Sequence, residues 1–310
     1  MRDSAARAAL HRPTGQDRHG VMLMIASALW FALMAAIARR WLHHTPTQAV
    51  VLSRGVLMST VLWIIARRRG VPIVGAQRGM LVVRGLLGYA ALSCYFWSVQ
   101  HLPLGDAVLL QYSHPIFVAL LAPLVLKERT SRGHWVIVLV ALGGVALVVG
   151  PSGDLHGAAA IALVGAMCSG LAYIAIRKLS ATEHPLTIMV WFPLVTVPGA
   201  LIGAIQGGAD SLPRDMVDVF AHLGIAATAL FGQVTLTRGL ARVDAARGTA
   251  ATMTGPVFGM LFGLILLGTQ PSRTSMLGMV IVGACAVALA RGRRAPPPTP
   301  LPVPATRDDP

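Results

Sequence analysis

The chain has 310 residues, of which 55% are hydrophobic and only 12% charged, with a mean hydropathy of +0.67. A water-soluble domain carries about twice that charged fraction, so composition excludes one and points to an integral membrane protein partnered by the lipid bilayer. The net charge of +14 would argue for a polyanion partner in a soluble protein. Here the basic residues sit at the ends of apolar stretches, so they report orientation and no nucleic-acid partner is expected.

The first 18 residues are polar and basic and lead into an apolar run of full spanning length, 20–38, so no cleavable signal is predicted. Nine further apolar stretches follow at 47–66, 80–100, 104–126, 134–149, 157–176, 185–206, 217–236, 245–268 and 274–290. Each is long enough, or nearly so, to cross a hydrocarbon core of about 30 Å as a helix. The expected fold class is therefore all-α, an integral membrane bundle of ten transmembrane helices. Arg54 lies about seven residues, or roughly 10 Å, inside the second stretch, a depth at which a guanidinium needs a partner or a wet cavity. Arg84 enters the third stretch by about four residues, shallow enough for its side chain to snorkel back to the interface. Tyr95, Trp191 and Gln233 are polar-tipped groups well inside the third, seventh and eighth stretches, and they join the candidates for lining a cavity.

The fourth stretch carries the densest polar patch, Gln111-Tyr112-Ser113-His114-Pro115. The ninth answers with Thr249, Thr252, Thr254 and Pro256. Proline lacks an N–H and clashes with the carbonyl four residues earlier, so Pro115 and Pro256 are expected to kink their helices and free the carbonyls of Gln111 and Thr252. His114 falls roughly 15 Å deep, near mid-bilayer, where an ionisable group is a functional candidate by default. The glycines Gly143-Gly144, Gly278 and Gly283 of the short fifth and tenth stretches indicate close helix packing rather than lipid exposure.

These stretches form two copies of one unit. His19-Gly20 onward aligns with His156-Gly157 onward, pairing Ala35/Ala172, Ile37/Ile174, Ala38/Ala175 and Arg40/Arg177. A second alignment pairs Pro115/Pro256, Phe117/Phe258, Leu120/Leu261, Leu126/Leu267 and Ser131/Ser272, so each half is about 140 residues long. The expected organisation is an N-terminal tail at 1–19, a first repeat at 20–150, a second at 151–291 and a disordered proline-rich tail at 292–310. Five helices is an odd number, so the second copy must enter the membrane from the opposite side. The loop charges agree in part: Lys127-Glu128-Arg129 corresponds to Gly268-Thr269-Gln270, and the uncharged loop 100–103 to one that keeps Arg242. With both termini cytosolic, 20 of the 26 Lys and Arg residues fall on the cytosolic side and four outside. Inverted duplication in an apolar chain is a transporter architecture, with the substrate site between the halves.

Other chemistries find little support. Gly150-Pro151-Ser152-Gly153 matches the pattern of an intramembrane serine protease, but its two breakers between helices read better as a turn. Asp106 is the one acidic residue clearly inside a stretch, near its end. Cys94, Cys168 and Cys285 lie within apolar stretches and are odd in number, so neither a disulfide framework nor a metal site is expected, and no cofactor is.

The paired segments VQHLPLGDAVLLQYSHPIFVALLAPLVLKERTS and LARVDAARGTAATMTGPVFGMLFGLILLGTQPS, each followed by a glycine-containing apolar helix, resemble the drug/metabolite transporter superfamily, in particular its EamA-type ten-helix members. The family's first copy often runs from a proline through an apolar segment to Lys-Glu, matched by Pro115 and Lys127-Glu128. Its second copy commonly has an acidic residue there, and Thr269 departs from that. Arg54 sits where the family often places an arginine in helix 2. The resemblance implies transport of a small-molecule metabolite and leaves the substrate open among amino acids, nucleoside-like molecules and vitamins.

The sequence thus leads to a secondary transporter of a small polar or amphipathic metabolite in the inner membrane. Export is favoured, and protons or a substrate gradient drive it because no nucleotide-binding motif is present. Uptake of a methionine-derived or vitamin-like metabolite is the alternative within transport. A non-transporting sensor or helper subunit is the alternative outside it, and short loops offer it no effector domain. Nothing in the sequence specifies an oligomeric state.

Overall fold

The computed structural model describes residues 15–101, 110–127, 131–149, 158–268, 270 and 272–291. Asp106, Glu128, the Gly150-Pro151-Ser152-Gly153 segment and the proline-rich tail lie outside the described residues. The helices are α1 (Gly15–Trp41), α2 (Thr47–Arg68), α3 (Arg78–His101), α4 (His114–Leu126), α5 (Arg132–Val149), α6 (Ala158–Leu179), α7 (Pro185–Gln206), α8 (Met216–Leu240), α9 (Ala245–Ala251), α10 (Gly255–Leu267) and α11 (Arg273–Arg291). No strand occurs among the described residues. Six helical segments, including α1, α2, α7 and α8, are long and apolar enough to cross a membrane, and α4 and α5 are shorter apolar helices. Leu124, Ile205 and Val280 are among many large apolar side chains left exposed, as lipid contact requires.

Helix length follows apolar length, because a backbone in hydrocarbon must satisfy its polar groups internally. The structure departs from the sequence expectation where the prolines stand. The fourth stretch is not one helix over 104–126: it turns at Tyr112-Ser113 and restarts at α4 with Pro115 in its first turn. The ninth breaks likewise into α9, a 3-10 turn at Thr252–Thr254, and α10 with Pro256 in its first turn. A proline fits the first turn of a helix, where its missing N–H has no partner to lose, so each proline opens a new helix rather than kinking an old one. Both new helices end in the left-handed region, at Lys127 (φ 56°) and Gly268 (φ 68°).

The most extensive contacts are α1 with α8, α3 with α6, α2 with α7 and α5 with α11. Exchanging the halves maps this set onto itself: α1–α8 becomes α6–α3, while α2–α7 and α5–α11 are unchanged. Lesser contacts follow the same exchange, with α4 on α6 matched by α10 on α1. Small residues let the backbones approach: Gly144 lets α5 meet α11, where an added Cβ would stand 2.9 Å from Val282. Gly143 and Gly283, expected to pack as well, face open space.

Each end of the bundle is stitched across the halves. At one end the Glu183 carboxylate, in the loop between α6 and α7, accepts hydrogen bonds from the backbone N–H groups of Ala76 (2.7 Å) and Gln77 (2.6 Å) just before α3. Thr187 and Trp191 on α7 donate to the Pro72 and Ile73 carbonyls of that same loop, each at 2.8 Å. At the other end His44, in the loop between α1 and α2, donates to the Asp218 carboxylate at the start of α8 (3.0 Å), and Ser53 on α2 lies 2.7 Å from His222 on α8.

Candidate functional site at the two helix breaks

The breaks before α4 and α10 face each other. The His114 Nδ1–H donates to the Gln111 carbonyl at 2.9 Å, and Nε2 stands 3.2 Å from the Thr252 hydroxyl of the other half. His114 and Thr252 are 4% and 6% exposed. The Gln111 amide donates to Ser169 on α6 (2.9 Å), while its side-chain oxygen is buried without a partner. Tyr173, one helical turn along α6 from Ser169, sets its ring edge-on to His114 at 5.2 Å, and Tyr112 lies 6.0 Å from the same imidazole. A Cβ on Gly255 would run into the Tyr112 phenol, so glycine is required where α10 begins.

The carbonyls expected to be free are taken. Gln111 gives its own to His114, and that of Thr252 accepts the Gly255 N–H, tightening the break into a 3-10 turn. Local bonds satisfy a proline-freed carbonyl more cheaply than an empty cavity would. The threonines are likewise bonded back along their helix: Thr249 to Ala245 (2.8 Å), Thr252 to Thr249 (2.6 Å) and Thr254 to Ala251 (2.9 Å).

Thr252 therefore has one hydroxyl proton and two acceptors. With a neutral His114 protonated on Nδ1, that proton serves either the Thr249 carbonyl or Nε2. Only a doubly protonated imidazole donates to both Gln111 and Thr252 while Thr252 donates to Thr249.

The other candidates separate. Gln233 on α8 is 2% exposed and its amide nitrogen is unpartnered. Tyr95 lies where α3 meets α6, its backbone nitrogen 3.5 Å from where a Cβ on Gly165 would stand. Trp191 is committed elsewhere, its indole N–H bound to the Ile73 carbonyl. Arg54 is buried, with its guanidinium carbon 5.6 Å from the Phe192 ring centre on α7. Arg84 does not snorkel: it is 3% exposed, 4.0 Å from that same ring, because α7 and α6 pack against α3. Phe192 and Ser169 join these groups without a signal in the sequence, and Arg84 departs from the snorkelling expected of it. The one signal for Arg84 was an arginine within an apolar stretch with no acidic residue a turn away.

The chain matches the EamA-like transporter family twice, over residues 18–150 and 156–291. It is 28% identical over 279 residues to the pseudopaline exporter CntI of Pseudomonas aeruginosa, covering 89% of this chain and 98% of that one. It is 27% identical over 244 residues to human solute carrier family 35 member G1, covering 73% of this chain and 66% of the relative. A solved crystal structure superposes with a TM-score of 0.75 at 18% identity, covering 87% of this chain and 96% of the other, which shows a shared fold.

Proposed function

Because this chain belongs to the EamA-like transporter family, and so is a multi-pass membrane transporter, we propose that it exports a small polar or amphipathic metabolite, an amino acid or related compound, across the inner membrane. The observation that carries the reading is the facing pair of helix breaks, one from each half, with His114 and Thr252 in contact between them. Interrupted helices meeting at a repeat interface supply polar groups at membrane depth without exposing backbone to lipid. Export is supported by the pseudopaline exporter, a relative aligned over nearly its whole length.

The topology proposed is an inverted 5+5 repeat with both termini cytosolic. It is supported by the half-exchange of the contacts and by the stitching of the ends. The loop between α1 and α2 joins α8 at one end, while its repeat counterpart between α6 and α7 joins α3 at the other. Coupling to protons is supported by the His114 bond set, which is complete in the doubly protonated ring and one proton short in the neutral one. Gln111, Tyr95 and Gln233 serve as secondary contacts in this reading. Arg54 contributes from α2, beside Phe192.

The test compares extracellular and intracellular metabolites of cells lacking and overproducing the protein. One compound retained by the deletion strain and released by the overproducer is expected. Identical profiles, with the protein shown to be present in the membrane, overturn export.

A further inference from the structure

Two buried arginines lie in the membrane-spanning bundle without a counter-charge. Arg54 on α2 and Arg84 on α3 are 6% and 3% exposed, and both guanidinium groups stand against one ring, Phe192 of α7. Among the described residues, neither forms an ion pair: the pairs found are His44–Asp218, Arg177–Asp244 and Arg214–Asp210. Nε and Nη1 of Arg84 also lack any hydrogen-bond partner.

This arrangement is unfavourable by itself. Removing a guanidinium from water without a partner is costly even after relaxation. A ring face returns only part of that cost, and here one ring serves two cations. The two positive charges repel one another as well. Their surroundings add no acceptor of matching charge: Val51, Met58, Leu92 and Thr196 wall the space beside Arg54. Room is nonetheless kept for the groups. A Cβ on Gly88 would fall 2.9 Å from Arg84 Nη1 and still closer to Phe192.

We propose that Arg54 and Arg84, both standing against Phe192, form an oxyanion site, and that the transported metabolite is a small anion bearing carboxylate or phosphate groups. This rests on the transporter reading above. A planar fork of N–H donors matches either group in bidentate fashion, and a ligand with two anionic ends meets both forks at once. The cavity at Arg54 has a volume of about 10 Å³, room for a single water, so the structure is closed around the site. Anion entry therefore requires α2 to part from α7, the pair of equivalent helices that meet across the halves.

Equilibrium binding of radiolabelled succinate to the full-length protein in detergent micelles tests the proposal, with unlabelled phosphate, glutamate and choline as competitors. Saturable binding displaced by the anions and not by choline is expected. Stronger displacement by phosphate assigns a phosphate-bearing metabolite, and by glutamate a carboxylate-bearing one. Arg54→Lys and Arg84→Lys keep the charge and lose the fork, so each is expected to weaken binding by about tenfold or more while remaining monodisperse. Should a variant misfold, competition on the parent protein decides alone. The proposal is overturned if the monodisperse parent binds neither succinate nor phosphate, if choline competes equally, or if both folded lysine variants bind as the parent does. Export of a cation at parental rate by Arg84→Lys would remove the anion site and leave transport standing. Anion binding without flux in proteoliposomes would do the reverse.

Discussion

At the residue scale, two positions show how local chemistry fixes the two copies alike or apart. Lys127 and Gly268 end equivalent helices in the same left-handed conformation, with φ of 56° and 68°. Only the second is the residue that adopts it without a Cβ penalty, which is about 1–2 kcal/mol for other side chains. Lys127→Gly is therefore expected to stabilise the protein by about 1 kcal/mol, read as a rise in the thermal unfolding midpoint in detergent. A fall would show that the Lys127 side chain contributes more than its strain costs. His114 makes the sharper functional case. If its second proton completes the bond set with Gln111 and Thr252 during the cycle, transport by the parent in proteoliposomes varies over about pH 5–8 and the profile flattens in His114→Gln. A raised Michaelis constant with the pH profile kept would make it a ligand. Parental behaviour on both counts would leave it a packing residue.

At the element scale, the helices are largely readable from sequence because their apolar length is set by the bilayer, while the breaks in them are only half legible. The prolines announce an interruption at Pro115 and Pro256. They do not announce that each begins a fresh helix, or that His114 and Gly255 take the freed carbonyls. Those outcomes depend on groups at i+3 finding the right geometry, which the sequence pattern does not encode. The loop before α3 is a second case. Its N–H groups at Ala76 and Gln77 have no acceptor nearby in sequence and are satisfied by Glu183 from the other half. A buried carboxylate holding two N–H groups contributes about 1.5–3 kcal/mol. Glu183→Ala is expected to lower the thermal midpoint and to raise labelling of a cysteine placed at Ala76, with Glu183→Gln intermediate because its amide oxygen still accepts. Unchanged labelling in Glu183→Ala would show that Thr187 and Trp191 hold the loop without it.

At the scale of the whole molecule, the proposed inverted repeat makes a prediction that no single helix can. Residues 127–133 and 268–273 are equivalent loops of the two halves, so a duplication that reverses direction puts them on opposite sides of the membrane. Single cysteines in the first loop are expected to react with an impermeant thiol reagent only from the cytosol, and those in the second only from outside. Labelling of both from one side would refute the inversion and, with it, the placement of a site between oppositely oriented halves.

By itself the sequence determined the membrane class, the doubling of the unit, most helix positions and the family. These follow from composition, spacing and repetition along the chain, and the bilayer makes each of them a strong local constraint. The tertiary structure decided which polar groups meet. It brought Thr252 to His114 across the halves, tied Trp191 to a loop it was not expected to touch, and enclosed Arg84 beside Phe192 where a lone helix would have let it reach the interface. Depth along a helix is written in the sequence. The direction a side chain faces, and what covers it, is set by helices far away along the chain, because only their packing defines what is inside.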